Sequence, residues 1–181
     1  MVVADAPSMA RATVRIATAK DLDLLVRHRR SMWEAIADIT TRDLDAADDV
    51  YARWARSKMR SRRFAGFIVD VGDMPVASGC VWLMDSQPRP GWKATSAAYL
   101  LSMFTEPGHC GEGHATQIVR AAIRWAKIRG VPVMLLHASD FGEPIYRQLG
   151  FERTREMRRV LVPRSRRRSR SSRKSTRRTT R

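Results

Sequence analysis

Ten residues, Glu106-Pro-Gly-His-Cys-Gly-Glu-Gly-His-Ala115, constrain this chain more than any other stretch. They place Gly108, Gly111 and Gly113 between an apolar run of strand character, residues 97–105, and the most regular amphipathic segment in the sequence. That segment spaces Ala115, Ile118, Val119, Ala122 and Ala126 along one helical face and Arg120, Arg124 and Lys127 along another. It predicts a helix from about His114 to Arg129, stopped at Gly130 with Pro132 just beyond. Residues 131–138 follow as an apolar run of strand length, expected to be buried on both faces. A strand, a glycine loop, a helix and a second strand make a β–loop–α–β unit. In such a loop glycines let successive N–H groups turn toward one point, and the first helical turn leaves more donors unpaired at its positive end. An anion such as a phosphate suits that arrangement. The glycines alone equally suit a plain strand-to-helix turn. The loop has no Gly-Lys-Ser/Thr ending and does not fit Gly-x-Gly-x-x-Gly, which argues against a nucleoside-triphosphate loop and a dinucleotide loop.

The rest of the chain reads as mixed α and β. Residues 13–17 alternate polar and apolar side chains, as a short strand does, and Thr18-Ala-Lys-Asp21 has the form of a capping box. Leu22, Leu25, Val26, Trp33 and Ile36 then share one helical face, and Leu44, Ala47, Tyr51, Trp54 and Ala55 share the inner face of a second helix. An acid-rich segment with Asp38, Asp43, Asp45, Asp48 and Asp49 is expected between those helices. Residues 67–71 and 76–84 read as a hairpin turning at Gly72-Asp73. Residues 142–149 make a short helix with Pro144 in its first turn, and 154–162 a last strand. No internal repeat is visible.

Charge divides the chain unevenly. The 181 residues carry 34 Lys and Arg against 18 Asp and Glu, a net of +16. Residues 164–181 hold 10 basic residues and no acidic one, so the remainder carries only +6. Residues 163–181 contain only Pro, Arg, Ser, Lys and Thr, too little apolar surface to offset the entropy of ordering, and a disordered tail is expected. Its arginines suit non-specific, salt-dependent contact with nucleic acid, but no aromatic side chain is there to stack on bases. Two cysteines, Cys80 and Cys110, cannot build a disulfide framework, and neither a secretory signal nor an apolar run of about 18 residues is present. A cytoplasmic protein without a membrane span is the simplest expectation.

Two longer stretches resemble a known family. The run Tyr99-Leu-Leu-Ser-Met-Phe-Thr-Glu-Pro-Gly-His-Cys-Gly-Glu-Gly-His-Ala-Thr-Gln-Ile-Val-Arg-Ala-Ala-Ile-Arg-Trp-Ala126 resembles the acetyl-CoA-binding motif of the GCN5-related N-acetyltransferases (GNAT). That motif is Arg/Gln-x-x-Gly-x-Gly/Ala, following a strand and opening a helix; Cys110 takes its first position, and Gly113 and Ala115 the two small ones. Ser139-Asp-Phe-Gly-Glu-Pro-Ile-Tyr-Arg-Gln-Leu-Gly-Phe151 is similar to the family's closing segment, which ends in Tyr-x-x-Leu-Gly-Phe. The two lie at the family's usual separation.

The resemblance implies a GNAT-like α/β (α+β) domain over residues 12–162; the small, uncommitted residues 1–11 before it read as a flexible arm. Its sheet is mixed and mainly antiparallel, flanked by helices, with splayed central strands. The pantetheine arm of acetyl-CoA lies in that gap, pairing with backbone near Met103 and Thr105. A main-chain N–H near Met103 or Phe104 polarises the thioester carbonyl. Backbone N–H groups of Gly111, Glu112, Gly113, His114, Ala115 and Thr116 hold the diphosphate. Ser139 stands where many members have an asparagine that contacts the cofactor, and Tyr146 matches the tyrosine that protonates the departing CoA thiolate. The implied reaction is direct transfer of an acetyl group to a primary amine of a small molecule or a protein.

Several residues depart from the family pattern. Cys110 replaces the usual Arg or Gln, and Glu112 puts a carboxylate about 8 Å from the diphosphate, a cost of roughly 0.5 kcal/mol per phosphate charge at water-like dielectric. Weak acetyl-CoA affinity is expected, improved by Cys110→Arg or Glu112→Gln. Glu34, His28 and His137 are open alternatives for the general base, each equally suited to a structural role. The aspartates from Asp38 to Asp49 suit attraction of a cationic amine and equally a solvated loop. His109, Cys110 and His114 suggest a metal, but neighbours on a turn point apart and no C-x-x-C pair supports them, so no metal site is expected. The competing function is a catalytically weak or inactive acyltransferase-fold module that binds nucleic acid or a partner through its basic tail.

Overall fold

The computed structural model describes residues 11–161. The expected tail at 163–181 and, apart from Arg11, the expected arm at 1–11 lie outside them. The chain divides into two units at Phe151. In the second, residues 152–161 carry no helix or strand, so the strand expected at 154–162 does not form over its described part. Glu152, Arg153, Arg155, Glu156, Arg158 and Arg159 interrupt its apolar residues too often for one face of a strand to be buried.

In the first unit, β1 (Ala12–Ile16) leads through the capping box at Thr18 and Asp21 into α1 (Leu22–Ile36). Leu22, Leu25 and His28 are the residues α1 buries, while Ile36, its last residue, is 58% exposed. The helical period continues to Ile36, but among the described residues no element covers the helix end there. The second helix, α2 (Thr41–Arg60), starts earlier than the acid-rich segment suggested, because the Thr40 hydroxyl accepts a hydrogen bond from Asp43 N at 3.2 Å and caps it. Asp43, Asp45, Asp48 and Asp49 therefore lie on the helix, and Arg30 of α1 pairs with Asp45 at 2.7 Å and Asp48 at 2.9 Å. Asp45 and Asp48 thus join the two helices rather than line a loop.

The strands β2 (Phe64–Val71) and β3 (Met74–Asp85) form the expected hairpin, each longer than its apolar run. Next comes β4 (Ser96–Thr105), and α3 (His114–Ile128) and β5 (Met134–Leu136) complete the β–loop–α–β unit before α4 (Glu143–Gln148). Among the described residues the sheet order is β1-β2-β3-β4-β5, antiparallel throughout except for β4 with β5. Because β5 is an edge strand, its three residues are half-buried, not buried on both faces as its apolar run suggested.

Two apolar clusters flank the sheet. On one face Phe67, Val69, Val81 and Leu100 pack with Ile118, Val119, Ala122 and Trp125 of α3. On the other, Phe64, Ile68 and Cys80 pack with Leu22 and Leu25 of α1 and Tyr51 and Ala55 of α2. Alternation along the strands sends neighbouring residues to opposite clusters, as Phe67 and Ile68 show. The architecture is a helix–sheet–helix sandwich.

Candidate active site

The site begins with an irregularity in β4. Ser78 faces Phe104 and Cys80 faces Leu101, so Ser102 and Met103 together oppose Gly79. This is a β-bulge, and Ser102 adopts φ 54°, a left-handed conformation uncommon outside glycine. Gly79 permits it by close approach: a Cβ there would fall 2.8 Å from Ile118 Cγ2 and still nearer Met103 Sδ. Past the bulge β4 also loses its other neighbour. The pairing with β5 covers Ala98, Tyr99 and Leu100 and stops at Leu136, while β4 runs on to Thr105. Among the described residues the β4 edge that faces away from β3 is therefore without a strand partner from Leu101 onward. Met103 and Thr105 turn their backbone groups to it, while Phe104 faces β3 as Glu106 does, whose N–H donates to Val76 O at 2.8 Å.

That open edge runs straight into the glycine loop. A 3-10 turn over Pro107–His109 follows β4, and Gly111 and Gly113 then take φ 86° and 81°. No atom lies within 4 Å of a Cβ built at these two glycines, so conformation and not space requires them. Gly113 opens α3, and Gln117 N is bonded to its carbonyl at 3.1 Å. Among the described residues the N–H groups of residues 111–116 have no protein acceptor. Six successive amides, three of them in the first turn of a 15-residue helix, are free for an anion.

The loop's side chains are arranged against each other. Glu112 Oε2 accepts from His109 Nδ1 at 3.2 Å and from His114 Nε2 at 2.9 Å. These bonds, His109 first and then His114, hold the Glu112 carboxyl below its usual range. His114 is 3% exposed under the start of α3. Cys110 points elsewhere, its thiol toward the carbonyl oxygens of Glu106 at 3.6 Å and Thr105 at 3.9 Å. Sequence reasoning weighed Cys110 with the histidines and passed over Glu112 as their partner; the spacing His-x-x-Glu-x-His was the signal available.

Other expected residues are distributed around the sheet. Tyr146 on α4 is half-buried, packs its ring against Phe151 at 5.8 Å and borders the same apolar cluster as Met103. Burial pushes its hydroxyl pKa up, so it is protonated at neutral pH. Ser139 is occupied at the start of α4, where its hydroxyl accepts from Gly142 N at 3.2 Å. The three base alternatives do not meet. Glu34 pairs with Arg30 at 3.2 Å, and His137 is engaged with the Tyr99 hydroxyl. His28 lies nearest the end of β4: its ring is 5.0 Å from that of Phe104, Nδ1 is 2.9 Å from Ser78 Oγ, and Nε2 is 3.2 Å from Glu106 Oε1. Burial lowers its pKa despite the opposing effect of Glu106.

A family model described as an acetyltransferase (GNAT) domain matches residues 14–154. The chain belongs to the GNAT acetyltransferase family. A comparison with curated proteins finds no match. The fold is that of solved GNAT structures. A GCN5-related N-acetyltransferase from Ralstonia eutropha JMP134 is 25% identical with a TM-score of 0.76, over 83% of this chain and 99% of its own. A predicted acetyltransferase from Clostridium acetobutylicum, solved with acetyl-CoA, is 26% identical with a TM-score of 0.74, over 83% of this chain and 96% of its own. An aminoglycoside N-acetyltransferase in complex with CoA, 20% identical, shares the fold at a TM-score of 0.63, over 89% of this chain and 99% of its own. The open β4 edge and the glycine loop of this GNAT chain thus sit in a scaffold whose solved examples include CoA complexes.

Proposed function

We propose that this GNAT protein is an N-acetyltransferase that moves an acetyl group from acetyl-CoA directly to a primary amine of a small molecule or a protein. The observation that carries the reading is the row of six unpaired amides, residues 111–116, continuing from an unpaired strand edge. Such a row matches a diphosphate, and the edge at Met103 and Thr105 offers main-chain partners to the amide-bearing arm that follows it in CoA. The loop has no lysine or arginine, so main-chain dipoles supply the attraction.

In the step itself the neutral amine attacks the thioester carbonyl carbon, and a C–N bond forms while the carbonyl oxygen gains charge. A main-chain N–H near Met103 or Phe104 stabilises that oxygen. The C–S bond then breaks, and the thiolate takes a proton from the Tyr146 hydroxyl, which burial keeps protonated. The excess proton of the amine leaves to solvent or to a neighbouring base. Residues 12–162 are the proposed catalytic domain. No helix among the described residues is long and apolar enough to cross a membrane.

Thiol release from acetyl-CoA across a panel of amines tests the reading. We expect turnover with at least one amine, and about a 10²- to 10⁴-fold lower kcat in Tyr146→Phe with little change in KM for acetyl-CoA. Tight acetyl-CoA binding without transfer to any amine would overturn it in favour of a module that has lost turnover.

A further inference from the structure

We propose that the glycine loop of this protein is also a metal site, in which His109 Nδ1, Glu112 Oε2 and His114 Nε2 bind one divalent ion of the zinc class. The three atoms all lie within 4.8 Å of one another. Two of the edges, 3.2 and 2.9 Å, are close to the roughly 3.3 Å that separates ligands around a tetrahedral ion with bonds of about 2.0–2.1 Å. The third, between the two imidazoles, is no longer than 4.8 Å, and the His109 side chain, 27% exposed on a short turn, is not locked by a regular element. His114 supplies the rigid anchor, buried as the first residue of α3.

The backbone explains why the three meet. Left-handed conformations at Gly111 and Gly113 on each side of Glu112 fold its side chain back between a histidine three residues earlier and one two residues later. All ligands come from six consecutive residues, so little chain entropy is lost on closing the site. Two imidazoles and a carboxylate make a neutral-nitrogen and oxygen set suited to zinc, and less suited to calcium or magnesium, which prefer oxygen alone. Cys110 is not part of the set, since its thiol faces carbonyl oxygens of residues 105 and 106. Three protein ligands leave a fourth position, and the half-exposed Glu112 side chain opens it to solvent. Binding of the ion does not depend on the acyl-transfer reading.

The full chain, cleared of metal by dialysis against a chelator, is titrated with Zn²⁺ in competition with a chromophoric chelator, and separately with Co²⁺ to read its visible spectrum. The expected result is one equivalent of Zn²⁺ and the intense d–d bands of four-coordinate Co²⁺. Glu112→Gln and His109→Asn should each weaken Zn²⁺ binding more than about tenfold, the scale that changes behind the ligands already reach. Both positions are solvent-accessible, and circular dichroism of the metal-free variants checks that they fold. Cys110→Ser and His137→Asn should leave the affinity unchanged. Absence of stoichiometric binding, affinity that survives both ligand substitutions, or loss of binding in Cys110→Ser would each overturn the proposal.

Discussion

Gly79→Ala probes the packing that shapes the site. The new methyl would sit 2.8 Å from Ile118 Cγ2 and overlap Met103 Sδ. The sulfur is on a flexible side chain and can swing away, but Ile118 is β-branched, fully buried and held to one preferred helical rotamer. The strain therefore falls on the distance between α3 and the sheet. Overpacking by one methyl costs about 1–3 kcal/mol, and the lower entropy of an unfolded alanine returns about 0.5–1 of that. A net loss near 1.5 kcal/mol shifts the urea midpoint down by about 0.5–1.5 M for slopes of 1–3 kcal/mol/M. Tryptophan fluorescence follows the transition, since Trp125 lies in the affected cluster. Repeating the substitution in Met103→Ala removes the sulfur, and because the sulfur yields anyway the cycle should show a coupling below about 0.5 kcal/mol, with the Ile118 part of the loss remaining. Because Met103 sits in the bulge, the single variant should also raise KM for acetyl-CoA. A Gly79→Ala protein as stable as the parent, or one whose loss disappears once Met103→Ala is present, would refute the reasoning.

Three further outcomes follow from the site. Cys110→Arg places a cation at a loop that has none; a charge about 5 Å from a diphosphate is worth up to roughly 1 kcal/mol per phosphate charge in water before screening, so calorimetry should find acetyl-CoA bound about 3- to 10-fold tighter. Unchanged or weaker binding would show that the diphosphate lies elsewhere. Glu112→Gln should help less than its sequence position suggested, because the carboxylate is already turned into two imidazoles; calorimetry on that variant, without metal, checks it. His28 should make the fold acid-sensitive. Burial lowers its folded-state pKa against the unfolded value near 6.5, with Glu106 opposing and Arg27, Ser78 and Phe104 completing its surroundings. Its stabilising effect is full above about pH 6.5 and is lost as pH falls toward the folded pKa, with a slope of at most about 1.4 kcal/mol per pH unit. Urea titrations at several pH values should show that slope flatten in His28→Gln, and a slope unaltered by the substitution would sink the assignment.

Local chemistry was readable in the sequence wherever it repeats along the chain. The amphipathic period of α3, the Thr18 capping box, the turn at Gly72 and the glycines that open α3 all follow from spacing, and each stands where the spacing put it. Those features depend on neighbours within four residues, which a sequence displays directly. What covers an element was not readable. Residues 131–138 look like a fully buried strand, yet only three of them pair, at the sheet edge. Ile36 keeps its period and stays exposed, and His28, unremarkable in a helix, is sealed against Ser78 and Glu106. The bulge that turns Ser102 and Met103 out of register answers to Gly79 and to Ile118 on another element. Even the turn of Glu112 between His109 and His114, all within six residues, needed the backbone angles of two glycines to be known. Periodicity specifies which side chains share a face; only the packed chain decides which faces meet, because that choice is made by residues far apart in sequence competing for the same buried surface.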